Sequence, residues 1–267
     1  MYTSYEQKQF NEIQKWKNEG PCLTRKVVNK LFKPLGYMIN LIIPESAIKG
    51  ALLSCNKASQ FIIDEKKFKK SKKILDVSEL KFISLEECDG YARSVKRSVE
   101  GVSVIEGGAT GWFGVEGLIV DIPVTITMAM YTINKIGMCY GFKMKTEEDY
   151  IFALNILSLA GSNTLEEKTV SLLTIKTLQQ TLKNTTWKKM AQTAAQKSMS
   201  NEAFLITVKS VSKKLGVNLT KRKALQVAPV VGAAVGAGCN FTFINDVSWA
   251  AIRVYQDRWL IDKYNLN

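Results

Sequence analysis

The sequence predicts an all-α fold, a single multi-helix domain in which two glycine-rich central helical segments pack together. Three observations support this prediction. The 267 residues include only five prolines. Serine or threonine repeatedly stands three positions before an acidic residue, as at the start of a helix. No stretch shows the clean alternation of a surface strand. A hydrophobic content of 46% is enough for one large core.

The first helix is predicted over residues 5–18, where apolar residues recur every three positions until Gly20 and Pro21. A second helical stretch, interrupted by two prolines, follows it. Residues 47–61 continue with small and apolar side chains and are predicted to be helical. Six lysines between positions 66 and 73 are too dense for an amphipathic stripe, so we expect a basic loop there.

Capping patterns predict most of the later helices. Ser84 with Glu87, Thr146 with Asp149 and Thr164 with Glu167 each have this form. The corresponding helices are predicted from about 85 to 104, from 146 to near Gly161, and from 165 to about 182, followed by helices over 187–199 and over 202–215, the last ended by Gly216.

Two glycine-rich segments share one layout, in which a GxxxG pair precedes an aspartate and an amphipathic helix. Asp121 closes the first segment and Asp246 the second, a constant offset of 125 positions. Glycines four apart expose backbone on one helix face, so another helix can approach closely. We expect this packing role for Gly107, Gly108, Gly111, Gly114, Gly232 and Gly236.

The two aspartates have two interpretations. Each could cap the helix that follows, because an aspartate accepts hydrogen bonds from free backbone N–H groups. Alternatively, Asp121 and Asp246 could lie side by side at the centre of the fold, paired with Lys135 or Arg253. In that arrangement they would be the candidate catalytic acids.

Several enzyme classes are excluded by composition. The chain has no histidine, which removes catalytic triads and histidine-bound zinc. The five cysteines form no CxxC pair and are expected to be reduced thiols. The glycines match neither a phosphate-binding loop nor a nucleophile elbow. We therefore expect no metal and no cofactor, and the sequence favours a non-enzymatic protein.

The net charge of +13 is unevenly distributed. Residues 183–223 carry ten lysines or arginines and one acid, Glu202. Such cationic faces attract anionic lipid, nucleic acid or an acidic protein, while a solvated surface is the simplest alternative. The basic stretches lack interleaved aromatics, so nucleic acid is not expected. The predicted contact residues are Lys66, Lys67, Lys69, Lys70, Lys221, Arg222 and Lys223.

Residues 224–244 carry no formal charge and are long enough to cross about 30 Å of hydrocarbon as a helix. Their glycines, proline and amides favour burial within the protein, with a transmembrane helix or a conditionally inserting hairpin as alternatives. The amino terminus has no signal-peptide pattern. We expect a cytoplasmic protein that is peripheral to the inner membrane or partly inserted in it.

Residues 100–162 resemble the signature of the EcsC protein family. The matching positions are Gly107, Gly108, Gly111, Asp121, Pro123, Tyr140, Gly141 and Phe142. The carboxyl-terminal residues 227–264 are similar to the family's closing element, at Gly232, Gly236, Asn240, Asp246, Ala250 and Tyr255. The resemblance implies a link to a family named for a gene beside an ABC transporter, and it implies no reaction.

The sequence thus predicts an amino-terminal helical region with the basic loop, 1–83, joined continuously to an EcsC-like helical core, 84–267. The leading functional hypothesis is a non-enzymatic protein that meets an anionic membrane surface, with an accessory, transport-linked or membrane-perturbing role. A membrane protein is the second candidate partner. The alternatives are an enzyme that acts on a lipid or other amphiphile through paired aspartates, and a soluble scaffold that binds an acidic protein.

Overall fold

The computed structural model describes residues 1–20, 45–110, 114–191, 201–227 and 232–266. Within its helices the side chains of 55–62, 102–110, 114–121, 183–191, 201–203, 221–227 and 232–240 are not described. The described chain contains nine α-helices and a 3₁₀ helix and no strand, which confirms the predicted all-α fold. The helices are α1 (Ser4–Asn18), α2 (Glu45–Ile62), α3 (Glu65–Lys72), the 3₁₀ helix (Val77–Lys81), α4 (Leu85–Thr110), α5 (Gly114–Cys139), α6 (Glu147–Ala160), α7 (Leu165–Ala191), α8 (Asn201–Val227) and α9 (Gly232–Tyr264).

The long carboxyl-terminal helix α9 lies at the centre of the packing. It packs along α4 and also contacts α1, α5, α6 and α8, while α2 covers α5 and α8. Helix α6 is buried from Tyr150 to Ala160, so the mainly apolar sequence of this part is explained by neighbours on several sides. The core therefore forms around α6 and α9, and α1 and α3 lie towards its edge.

Helices α4, α5 and α9, which contain the two glycine-rich segments, pack against one another. Helix α4 ends at Thr110 and α5 begins at Gly114, so Gly107 and Gly108 lie in the last turn of one helix. Gly232 and Gly236 lie in the first turns of α9. Gly111 is outside the described residues, as are the surroundings of the other five glycines. Close packing through these glycines therefore stays a prediction.

Local capping explains why several helices begin where the sequence predicts. Thr3 and Glu6 form a reciprocal capping box at the start of α1, and Thr146 and Asp149 do so at the start of α6. In each case two free backbone N–H groups gain acceptors within the same turn. The predicted helices over 5–18, 47–61 and from Thr146 to near Gly161 are confirmed.

The lysine-rich stretch is helix α3, so the prediction of a basic loop was wrong. Asp64 caps this helix by accepting a hydrogen bond from the backbone N–H of Lys67 at 2.8 Å. Phe68 is buried and attaches the helix to the core. Lys73 ends it in a left-handed conformation, with φ at 56°. The cap and the buried ring stabilise a helix that like-charge repulsion alone would disfavour.

Helix α8 does not end at Gly216 as predicted but continues to Val227. A glycine inside a helix costs only about 1 kcal/mol relative to alanine. The flanking residues Leu215, Asn218 and Leu219 are all buried, and the amide of Asn218 donates to the carbonyl of Gly161 at 3.2 Å. Packing of this face outweighs the cost of the glycine. Helix α7 similarly extends past Leu182 to Ala191 and includes the start of the helix predicted over 187–199.

The uncharged run 224–244 is shared between the end of α8 and the beginning of α9. Across the described ranges, no helix combines the length and the apolar character that a membrane crossing requires.

Glu6 joins both ends of the chain and makes stability dependent on pH. Its carboxylate accepts hydrogen bonds from the Thr3 N–H, from Lys263 and from the Tyr264 hydroxyl, each at 2.7 Å. Burial opposes ionisation, but these donors outweigh it and lower the Glu6 pKa from 4.5 to about 2.

A lowered carboxyl pKa stabilises the fold above the unfolded-state value and loses that contribution as the pH falls through the folded-state value. We expect Glu6→Gln to be less stable than wild type above about pH 4.5, and the difference to shrink as the pH approaches about 2. Urea unfolding, followed by circular dichroism across this pH range, measures the difference in the free energy of unfolding. A difference independent of pH would contradict this role for the Glu6 charge.

Candidate functional site

The most distinctive surface of the described chain is the basic segment, defined here as residues 64–82, which comprises α3 and the 3₁₀ helix. Lys66, Lys67 and Lys70 are exposed on α3, and Lys73 is exposed at its end. Lys69 is half-buried and forms an ion pair with Glu65 at 3.7 Å. The buried ring of Phe68 faces the core, so the helix presents its lysines outward.

Two large apolar side chains project from the same segment. Leu75 and Phe82, which flank the 3₁₀ helix, are each 88% exposed. The 3₁₀ helix between them is attached to the core by the buried side chains of Val77 and Leu80. Leu75 follows Lys73 by two residues, so their Cα atoms are within about 7 Å of each other. The segment thus combines cationic and apolar groups over a short length of chain.

Lys143 holds the two halves of the basic segment together. Its ammonium group donates to Glu65 on α3 at 2.6 Å and to Asp76 at the start of the 3₁₀ helix at 2.7 Å. The hydrogen bond from Lys143, together with those from Ser78, holds the pKa of Asp76 well below its usual range. Lys143 therefore pairs with Glu65 and Asp76, two acids of the same segment as the lysines of α3. Within the described ranges, none of the four exposed lysines, 66, 67, 70 and 73, has an acidic partner.

A tight turn after α5 supports the basic segment from below. Gly141 has φ at +84°, and a Cβ there would lie 2.8 Å from the backbone nitrogen of Lys81. The close approach of these two backbones requires a residue without a side chain. The Lys81 ammonium lies 4.3 Å from the ring centroid of Phe142, whose ring stacks on Tyr255 at 5.7 Å. The turn consequently fixes the end of the 3₁₀ helix against α9.

Beneath this turn lies a buried polar network centred on Asp89 of α4. The hydroxyls of Tyr5 and Tyr140 each donate to its carboxylate at 2.6 Å, and the amide of Gln256 donates to both oxygens at 2.8 Å. Arg93 approaches the same group at 3.6 Å. Burial, followed by the negative charge of Asp89, raises the pKa of Tyr140 well above its usual value, so this hydroxyl stays protonated and donates.

The network extends to the surface through α1 and α9. Gln9 accepts from Arg253 at 3.1 Å and from Gln256 at 3.3 Å, and Arg253 also pairs with Glu12 at 3.6 Å. Asp89 itself is 0% exposed and is surrounded by donors. The network therefore joins α1, α4, the end of α5 and α9 in one buried polar junction.

Comparison with known proteins places the chain in a family. The sequence profile of the EcsC protein family matches residues 7–260. The chain belongs to the EcsC protein family. Two curated relatives come from Bacillus subtilis (strain 168). Uncharacterized protein YdbA is 21% identical over 96% of this chain and 93% of its own length, and Protein EcsC is 25% identical over 89% and 86%. No solved structure matches the chain.

The residues that carry the EcsC resemblance include the turn described above. Tyr140, Gly141 and Phe142 respectively bind Asp89, permit the left-handed turn and stack on Tyr255. Tyr255 also faces Gly137, where an added Cβ would lie 2.7 Å from its ring. These contacts show that the motif supports the basic segment and the core.

The two candidate catalytic aspartates of the EcsC signature do not cap helices. Asp121 lies inside α5 and Asp246 inside α9, each more than a turn from the helix start. The capping interpretation was therefore wrong. In α5, burial of Ile122 and Ile126 stabilises the helix, which continues through Pro123.

The side chain of Asp121 is outside the described set, so its pairing with Asp246 stays untested. Asp246 is buried beside a cavity of about 220 Å³ that Lys168 also lines. Of the two proposed cationic partners, Lys135 donates to the Tyr131 hydroxyl at 2.6 Å, while Arg253 belongs to the Asp89 network.

The described cysteines of this EcsC-family chain are buried free thiols, Cys88 and Cys139. Burial raises the pKa of Cys139 to about 12, and it also raises the pKa of Cys88. A thiol with a raised pKa is a poor nucleophile at neutral pH. Both therefore serve as small core residues. Cys22, Cys55 and Cys239 are outside the described side chains.

The second predicted basic cluster lies near the end of α8, where the side chains of Lys221, Arg222 and Lys223 are outside the described set. Sequence reasoning missed Asp89, Lys143 and the exposed pair Leu75 and Phe82. A signal for the pair existed, because Asp76 and Glu79 form a capping box that leaves Leu75 and Phe82 at the ends of a one-turn helix.

Proposed function

We propose that this EcsC-family chain is a non-catalytic peripheral protein that docks on an anionic lipid surface through its basic segment, at the cytoplasmic face of the inner membrane. One observation carries the proposal. Leu75 and Phe82 are each 88% exposed, beside exposed lysines that have no acidic partner in the described part of the chain. Solvated charge alone would explain the lysines but not two large, exposed apolar side chains on the same segment.

Electrostatics supplies the first part of the binding energy. Each lysine close to an anionic bilayer contributes about 1 kcal/mol, and the attraction falls off within a Debye length. Lys66 and Lys70 lie one turn apart on the same face of α3, so they can approach one lipid surface together.

Apolar insertion supplies the second part. Transfer of a fully exposed leucine or phenylalanine side chain out of water contributes about 1.5–3 kcal/mol. Aromatic and aliphatic side chains beside lysines are typical of protein surfaces that lie in the headgroup region. The rigid support from Lys143 and the Gly141 turn reduces the ordering entropy that docking would otherwise require.

The electrostatic part is tested by neutralising two lysines. We expect Lys66→Gln with Lys70→Gln to weaken binding to phosphatidylglycerol-containing vesicles by about 30-fold, corresponding to about 2 kcal/mol. Glutamine keeps the helix propensity of lysine. Vesicle flotation at low and high salt provides the measurement, with neutral phosphatidylcholine vesicles for comparison.

Lys8→Gln with Lys15→Gln is the matched control, because both lysines are exposed on α1 and the change in net charge is identical. Equal effects of the two double variants would show that net charge, and not the basic segment, attracts the membrane. Failure of the wild-type protein to float with anionic vesicles would overturn the proposal and favour an acidic protein partner.

The apolar part is tested by Leu75→Ser with Phe82→Ser. We expect this double variant to bind anionic vesicles at least about tenfold more weakly and to lose the binding that resists high salt. Because both side chains are exposed, the free energy of unfolding should change by less than about 0.5 kcal/mol. Val170→Ser with Ile206→Ser, at two exposed positions of α7 and α8, should leave binding unchanged. Wild-type binding by the Leu75/Phe82 variant would exclude insertion.

A further inference from the structure

A cavity of about 660 Å³ lies between α1, α7 and α9, on a different part of the molecule from the basic segment. Its apolar lining includes Phe10, Leu172, Ile175, Val254 and Leu260. Small-molecule sites have volumes of about 300–1,000 Å³ and are mostly apolar with a few placed polar groups. The cavity, called the α1/α7/α9 groove below, has these properties.

A buried amide marks one side of the groove. Gln179 lines it, is only 6% exposed, and its Nε2 atom has no hydrogen-bond partner in the structure as described. A buried N–H group without an acceptor is unfavourable and uncommon in folded proteins. A molecule bound in the groove supplies the missing acceptor only if the amide group rotates towards it, because Nε2 is shielded from solvent in the empty groove. The amide therefore points to a ligand that carries acceptors.

A cation stands one turn away on the same helix. Lys176 lines the groove, is exposed, and has no acidic partner within the described ranges. Lys176 and Gln179 are three residues apart on α7 and so face the same side. Leu172 and Ile175 continue this face, so α7 offers the groove an apolar strip and a polar pair.

The other charged groups of the groove already have partners. Asp257 accepts two hydrogen bonds from Lys17, at 2.9 and 3.0 Å. Arg253 is held by Gln9, Gln256 and Glu12. The ion pair neutralises Asp257, so it does not cancel the attraction of Lys176 for an anion.

We propose that the α1/α7/α9 groove binds a single-chain amphiphile whose carboxylate or phosphate headgroup contacts Lys176 and Gln179 and whose acyl chain covers the apolar lining. This site goes beyond the proposed membrane docking. It lies on other helices and takes one lipid molecule from solution instead of a bilayer surface.

Titration of the full chain with oleate and, separately, with lysophosphatidylglycerol tests the proposal. Both amphiphiles are used below their critical micelle concentrations, and isothermal titration calorimetry measures binding. We expect saturable binding with one molecule per chain for at least one of them, and the amphiphile that binds more tightly identifies the headgroup. Gln179→Leu and Lys176→Gln should each weaken that binding by about tenfold.

Thermal unfolding separates a ligand contact from a structural one. Gln179→Leu replaces an unpaired buried amide with an apolar side chain, so the ligand-free variant should melt at the wild-type temperature or above it. Thr177→Val, at an exposed position of α7, is the control and should bind as wild type does. A Gln179→Leu variant that melts at a lower temperature would contradict an unpaired amide and so overturn the proposed contact.

Absence of saturable binding for both amphiphiles would overturn the proposal, as would unchanged affinity in both groove variants. The Lys66→Gln/Lys70→Gln variant should bind the amphiphile as wild type does, and the groove variants should still float with anionic vesicles. These cross-tests distinguish failure of the groove site from failure of membrane docking.

Discussion

Replacement of Asp89 with alanine is expected to lower the free energy of unfolding by about 4 kcal/mol. The change removes the acceptor for Tyr5, Tyr140 and Gln256 at the junction of four helices. Each buried donor left without a partner costs about 1–3 kcal/mol, and the Gln9 carbonyl remains as a second, longer contact only for Gln256, at 3.3 Å. A loss of this size is a large share of the about 5–15 kcal/mol that stabilises a typical domain.

Asp89→Asn is the matched control because asparagine preserves the shape and one acceptor oxygen. It should be destabilised by about half as much, since its NH₂ group faces the donating amide of Gln256. Equilibrium unfolding in urea, followed by circular dichroism, measures both variants. If Asp89→Ala unfolds within about 1 kcal/mol of wild type, the network does not hold the four helices together as the geometry indicates.

Replacement of Gly141 with alanine is expected to lower the free energy of unfolding by about 3 kcal/mol. A left-handed conformation costs a residue with a side chain about 1–2 kcal/mol. The new Cβ would also lie 2.8 Å from the Lys81 backbone nitrogen, which cannot move without displacing the 3₁₀ helix. Overpacking of this kind adds about 1–3 kcal/mol.

Gly90→Ala is the control for Gly141→Ala. Gly90 lies inside α4, where an added Cβ would meet no neighbouring side chain or other helix within 4 Å, so alanine there should stabilise the protein by about 0.5–1 kcal/mol. Thermal unfolding of the two variants should therefore move in opposite directions. A Gly141→Ala protein as stable as wild type would show that the turn relaxes and does not fix the basic segment.

Local signals in the sequence were sufficient for many helices. A capping box such as Thr146 with Asp149 involves residues three positions apart, so its geometry follows from the chain itself. Helix α3 and the continuation of α8 through Gly216 were not predicted. Burial of Phe68 and the contacts around Asn218 decide these two helices, and both depend on residues distant in sequence.

In the candidate sites, too, some features follow from local sequence and others from contacts between distant residues. The lysines of the basic segment and the Tyr140-Gly141-Phe142 motif are visible in the sequence. The partner of Tyr140, however, is Asp89, 51 positions away, and the clamp from Lys143 to Glu65 spans 78. No periodicity or spacing rule connects positions so far apart. The unpaired amide of Gln179 likewise cannot be inferred from the sequence, because it depends on which residues surround the side chain.

The amino-acid sequence by itself determined the all-helical class, the family membership, the basic character of the chain and the exclusion of histidine chemistry, because these depend on composition and on local patterns. Tertiary structure decided that Asp89 is a buried junction, that Asp246 lies inside a helix, and that lysines and apolar side chains are exposed together on residues 64–82. The physical reason is that burial and partner choice arise only when distant helices pack around one core.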